Sequence, residues 1–190
     1  MKFTKHIALA FLFVLAAPAL AKADAPKTGT LARLKADLAG PESATQILTR
    51  WCGDLHLAAV PEIRAVRVYQ DRPADAQVRA ALQAGPNELL RYRRVRLMCG
   101  AHILSEADNW YRPSRLTPQM NEILDQTERS FGAVVRPLNF HRVTRSQVSR
   151  PDSRTVLRLT ALLETPDGTP FSLVVENYRP ILLMPPRSNR

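Results

Sequence analysis

The chain has 190 residues, with 27 Lys and Arg against 17 Asp and Glu, a formal charge of +10, and 45% apolar content. This length and composition suit one compact domain with a real core. No apolar run beyond the first two dozen residues is long enough for a membrane span, which excludes a membrane-embedded body.

The opening MKFTKHIALAFLFVLAAPALAKADAP has basic Lys2 and Lys5, an apolar run from Ile7 to Ala17, and small residues at Ala19 and Ala21. That is the pattern of a cleavable secretory signal peptide over residues 1–21, with cleavage after Ala21 or, second, after Ala23. The expected location is periplasmic or secreted. Residues 22–42 read as a polar leader with a weak helical stretch, LARLKADLAG.

Every lysine lies at or before Lys35, so all later basic residues are arginine. Either a GC-rich genome writes arginine for lysine, or guanidinium geometry serves carboxylate or phosphate recognition. The charge would also fit nucleic acid, but export argues against it and no helix-turn-helix is evident. Cys52 and Cys99 read first as small buried apolar residues, with pairing in an oxidising compartment as the alternative. His56, His102 and His141 are scattered, so no metal is expected.

SATQILTRWCG predicts a helix, with Ser43 and Gln46 as a capping box and Gly53 as its end. Ala44, Ile47, Leu48 and Trp51 share its buried face. EIRAVRVYQ predicts a strand, and PADAQVRAALQAG a short helix closed by Gly85-Pro86. RYRRVRLMCG and AHILSEADNWY form a hairpin turning at Gly100. Thr117 caps a helix that begins at Pro118 and buries Met120, Ile123 and Leu124. ERSFGAVVRPLNFHRVTR predicts a loop at Ser130–Gly132 followed by extended structure. Two apolar runs flank Thr165-Pro166-Asp167-Gly168 as a last hairpin, and the tail from 184 to 190 is expected to be mobile. Tight turns between neighbouring strands predict an antiparallel sheet covered by helices, an α+β domain.

The order of these marks resembles the chorismate lyase superfamily over about residues 43–183. A helix leads into AVRVYQ, and an arginine opens RRVRLMC. Pro113 ends the returning strand in NWYRPSRL. Ser130-Phe131-Gly132 stands at an S/T-x-G-like turn, Phe-His-Arg follows at 140–142, and Glu176 lies four residues before Pro180. The resemblance implies a chorismate-lyase-like α+β fold and cofactor-free elimination of pyruvate from a cyclic carboxylate. It implies an arginine from 91–96 on the carboxylate, Glu176 at the far end of the ring, and backbone groups of Phe131 and Gly132. A guanidinium can give two parallel hydrogen bonds to a carboxylate, and a buried carboxyl can donate a proton.

Gapless spacing back from Pro113 and Cys99 points to Arg94. Strand alternation instead puts Arg93 on the face of Val95, Leu97 and Cys99 and is preferred, because a shift of one residue flips every side chain. A bulge in the hairpin would restore Arg94. The competing reading of Glu176 is a salt bridge to one of these arginines. Asn109, Trp110 and Tyr111 either line a pocket or pack at the hairpin end. His141 reads as structural, and no nucleophile–His–acid set is present. Glu176 and Arg93 are thus the candidate catalytic pair, with Arg94, Phe131, Gly132, Asn109 and Tyr111 as candidate ligand contacts. The expected partner is a small aromatic or cyclic carboxylate, either turned over or only bound. The oligomeric state stays open.

Overall fold

A computed structural model describes residues 30–40 and 42–186. The expected signal peptide at 1–21, residues 22–29 of the leader, and the tail from 187 on lie outside the described residues. The elements are α1 (Leu31–Leu38), α2 (Ala44–Asp54), β1 (Ile63–Val68), α3 (Ala76–Ala81), β2 (Arg91–Cys99), β3 (His102–Tyr111), α4 (Pro118–Gln126), α5 (Phe131–Val135), β4 (His141–Asp152), β5 (Thr155–Glu164) and β6 (Pro170–Tyr178). The strands form one antiparallel sheet in the order β1-β2-β3-β6-β5-β4. The fold is α+β and chorismate-lyase-like.

Local chemistry starts the elements as expected. The Ser43 side chain and the Gln46 side chain cap each other's backbone at the start of α2. Thr117 accepts from the Met120 N–H at the start of α4, with Pro118 in the first turn. Gly100 turns the β2–β3 hairpin with a φ of +52°, a conformation that favours glycine.

One sheet face packs against α1 and α2 through Val95, Leu97, Cys99, Leu157, Leu159 and Tyr178. The packed unit reaches back into the expected leader, because Leu34 and Leu38 of α1 are buried in this core. On the opposite face Val78 of α3 and Leu82 at its C-terminal cap pack against Trp110, Leu162 and Leu173. Trp110 is therefore a packing residue. Its ring lies 5.1 Å from that of Tyr92, and its Nε1 donates to the Arg72 carbonyl at 3.0 Å.

Three local expectations are corrected. The segment after Ser130 is not a loop running into extended chain: α5 occupies Phe131–Val135 and a 3-10 turn follows over Arg136–Leu138. Two adjacent valines suggest a strand, but Phe131, Val134 and Val135 bury together at helical spacing, and tertiary burial overrides propensity. Helix α2 runs past Gly53 to Asp54. Cys52 and Cys99 are bonded to each other across a sequence separation of 47, where the preferred reading was two unpaired apolar thiols. Both positions are buried as that reading required, but α2 lies over the end of β2 and brings the sulfurs together. Closing a loop of this length restricts the unfolded chain by about 4 kcal/mol on the chain-entropy account.

An ion pair pins the α3–β2 loop to the end of β3. Arg112 Nε and Nη2 donate to the two Glu88 oxygens at 2.8 and 3.0 Å, and Ser114 Oγ donates to Oε1 at 2.9 Å. The Arg112 hydrogen bonds are the main cause that takes the Glu88 carboxyl down to about 2 from an ordinary 4.5. A depressed carboxyl stabilises the fold above its unfolded value, and that contribution is lost as pH falls toward the folded one. Glu88→Gln is therefore expected to flatten the acid limb of stability between about pH 4.5 and 2. Thermal melts of both proteins across that range check it.

Candidate functional site

The β2–β3–β6 register builds the site. Arg93 pairs with Asn109, and Asn109 with Val174. Two residues along, Val95 pairs with Ala107, and Ala107 with Glu176. Because side chains alternate, these two rows share one sheet face. Above them is a cavity of about 790 Å³. Its lining includes Val95, Leu97, Ala107, Leu163 and Val174, together with the start of α2, Ser130 to Gly132 and Arg136. Thr45 Oγ1 donates to Ser130 Oγ at 3.0 Å and ties α2 to the segment that opens α5.

Arg93 faces this cavity and is 3% exposed. Its Nη2 donates to the carbonyls of Arg129 at 3.1 Å and Thr127 at 3.4 Å, and its Nε has no partner among the described residues. Among the described residues no carboxylate oxygen lies within 4.0 Å of it, although most other arginines have one. Burial, followed by the charge of Arg67, lowers the Arg93 value. A buried cation without a counter-ion is costly, and an anion in the cavity would relieve that cost.

Arg94 lies on the opposite sheet face. Its guanidinium reaches Glu106 at 3.2 Å, Asp108 at 3.9 Å and Gln70 Oε1 at 3.0 Å. A bulge does interrupt the hairpin, between Leu97 and Met98. It adds Leu104 to β3 and leaves the alternation of β2 unbroken from Arg93 to Cys99.

Glu176 shares the cavity with Arg93 but is already engaged. Arg142 Nη2 donates to its Oε2 at 2.5 Å, and the Tyr178 hydroxyl donates to the same oxygen at 2.9 Å. The salt bridge considered for Glu176 therefore exists, with Arg142 in place of any arginine from 91–96. Burial works to lower the Arg142 value, and the Glu176 carboxylate more than reverses it, leaving it raised. The Tyr178 phenol is raised by burial and then by Glu176.

Asn109, Phe131 and Gly132 line the cavity. Asn109 Oδ1 accepts from Ser172 Oγ at 2.6 Å, while its Nδ2 has no partner among the described residues. Tyr111 is 2% exposed and is not among the lining residues. Its ring centroid stands 5.2 Å from that of Phe131, so it backs a wall residue instead of meeting the cavity. His141 also lines the cavity, with Nε2 at 3.4 Å from Glu164.

Sequence reasoning gave no site role to Arg142, Ser172 or Tyr178. One signal was available. A glutamate inside the apolar run FSLVVENY needs a partner if buried, and Tyr178 stands two residues on, on the same face.

Three residues that line the cavity each bury a donor with no acceptor among the described residues: Arg93 Nε, Asn109 Nδ2 and Arg142 Nε. Such groups are rare in folded proteins.

No protein-family model matches the sequence. The chain is 42% identical to the uncharacterized protein y4mC of Sinorhizobium fredii over 78% of this chain and 73% of that one. In three dimensions it resembles PhnF from Mycobacterium smegmatis, with a TM-score of 0.57 and 15% identity over 80% of this chain and 69% of that one. The effector domain of PhnF, also from Mycobacterium smegmatis, gives a TM-score of 0.50 and 16% identity over 62% and 81%. At these identities the likeness is one of fold.

Proposed function

The chain belongs to the family of the y4mC protein, and we propose that this member binds a small aromatic or cyclic carboxylate in the sheet-face cavity without turning it over. The observation that carries the reading is the Arg93 guanidinium, buried, facing the cavity and without a carboxylate partner among the described residues. A carboxylate beside the guanidinium would supply the missing charge, a charge-assisted contact of the stronger kind. The apolar walls suit a ring. The likeness in fold to an effector domain is in line with a binding role.

Elimination of pyruvate would need a group free to protonate the departing oxygen. Glu176 is the candidate acid, and its Oε2 is taken by Arg142 and Tyr178. That engagement favours binding over catalysis. The same proposal extends to location. The N-terminal signal pattern and a disulfide between Cys52 and Cys99 both suit an oxidising compartment outside the cytoplasm.

Two measurements test the function together. Benzoate or cyclohexanecarboxylate at about a hundred times its Kd is expected to stabilise the protein by about 2.7 kcal/mol. For a chain of this size that raises Tm by about 5–10 °C. Incubation with chorismate is expected to yield 4-hydroxybenzoate only at the spontaneous rate. Accelerated product would establish a lyase instead, and no shift with either carboxylate would remove the binding reading.

A further inference from the structure

One row of paired residues crosses all six strands: Val66, Arg96, Glu106, Asn177, Arg158 and Val148. Arg96, Glu106 and Asn177 adjoin the cavity-lining Leu97, Ala107 and Glu176 along their strands, so they point to the other sheet face. None of the six is buried. At about 4.8 Å per strand the row is about 24 Å wide. The α3 cluster around Trp110, Leu162 and Leu173 occupies the neighbouring part of this face and includes no residue of the row.

The row and its flanks hold an excess of guanidinium. Arg94 and Arg96 each reach Glu106 at 3.2 Å, and Arg179 reaches it at 2.8 Å. Arg72 and Arg94 approach Asp108 at 4.0 and 3.9 Å. Arg158 donates to Asn177 Oδ1 at 2.7 Å and lies 3.5 Å from Asp152. Arg72, Arg94, Arg96, Arg158 and Arg179 thus share Glu106, Asp108 and Asp152. A guanidinium carries five donors, and one carboxylate among three of them cannot accept from all. The ends of the chain do not complement this charge. Outside the described residues stand Lys2, Lys5, Lys22, Lys27, Arg187 and Arg190, with Asp24 as the one acidic side chain. A second copy, itself at +10, would set like charge against like.

We propose that this arginine-rich sheet face docks the protein on an anionic phospholipid surface. The inference is independent of the cavity, which lies on the other face. Guanidinium forks match phosphate oxygens in pairs, and a face this broad meets many headgroups at once. The row has valines and no aromatic side chain. It therefore offers no platform for stacked bases and none of the aromatic anchors that dominate protein interfaces. The attraction is electrostatic and falls with salt.

Cosedimentation of the full chain with vesicles tests the idea, with equal parts phosphatidylglycerol and phosphatidylcholine against phosphatidylcholine alone. The apolar run from Ile7 to Ala17 acts on both vesicles alike, so the readout is the ratio of the two partition coefficients. The wild type is expected to favour anionic vesicles at least about tenfold at about 0.05 M NaCl and to lose that preference at about 0.5 M. Arg96→Gln with Arg158→Gln is expected to lower the ratio about fivefold for each arginine removed. Glu106→Gln releases three guanidinium groups and is expected to raise the ratio about fivefold. Misfolding would not produce that rise, so it decides the matter if the double variant does not fold. Arg115→Gln, in the turn after β3 and outside the row, is expected to change the ratio less than about twofold. Equal partition of the wild type onto both vesicles overturns the proposal. An equal loss per charge in Arg115→Gln and the double variant also overturns it, because net charge alone would then explain the attraction. Tighter binding to duplex DNA or polyglutamate at equal charge, lost in the double variant, would give this face to another partner and overturn the lipid.

Discussion

Arg93→Met is expected to lower benzoate affinity at least about thirtyfold, the equivalent of about 2 kcal/mol or more for removing one partner of a buried charged contact. Stability is expected to stay level or rise. Arg93 is 3% exposed, has no carboxylate partner among the described residues, and leaves Nε unpaired there. Burial lowers its value, so folding disfavours its charged form. Methionine fills a similar volume with no charge to desolvate. Its cost is the loss of two hydrogen bonds to the Thr127 and Arg129 carbonyls, each worth about 1 kcal/mol or somewhat more from a charged donor. Arg94→Met is the contrast. That side chain lies on the other face, among Glu106, Asp108 and Gln70, and its loss is expected to leave benzoate affinity unchanged. Calorimetry for binding and urea unfolding for stability separate the two effects. Loss of binding in Arg94→Met with retention in Arg93→Met would place the anion site elsewhere.

The placement of Arg93 and Arg94 on opposite sheet faces was legible in the sequence because alternation is a local property. Arg93, Val95, Leu97 and Cys99 share a face whatever the strand pairs with, and the bulge that threatened this reading added its residue to β3. Caps were legible for the same reason, since Ser43 and Gln46 or Thr117 and Met120 meet within one turn. The engagement of Glu176 was not. Arg142 stands 34 residues away on β4, and two ladders, β4–β5 and β5–β6, separate it from Glu176. Tight turns fix neighbours in sequence, but the β3–β6 pairing that completes the cavity floor closes over a long separation. The disulfide was hidden likewise, because burial of Cys52 and Cys99 was readable and the placement of α2 over β2 was not. Helix α5 was misread because its valines carry a strand propensity that packing against Leu124 and Phe171 overrides.

The Arg142–Glu176 pair sets the second large effect. The side chains are 18% and 8% exposed, and the ions meet at 2.5 Å. Glu176→Gln keeps the shape and an acceptor for the Tyr178 hydroxyl but leaves Arg142 as a second buried cation beside Arg93. Breaking a buried pair from one side costs about 3–5 kcal/mol. The lower end is expected here, because Arg142 borders a cavity that water can enter. For a chain of this size the drop in Tm is about 6–12 °C. Arg142→Met alone strands the carboxylate with only the phenol as donor and is expected to cost a similar amount. The double variant, Arg142→Met with Glu176→Gln, removes both charges. It should be more stable than the single changes added together would imply, by a coupling of about 2 kcal/mol or more. Urea unfolding of the four proteins measures that coupling. Additive losses would mean that Glu176 is held chiefly by Tyr178, leaving its carboxylate open to a ligand and reviving its candidacy as a proton donor.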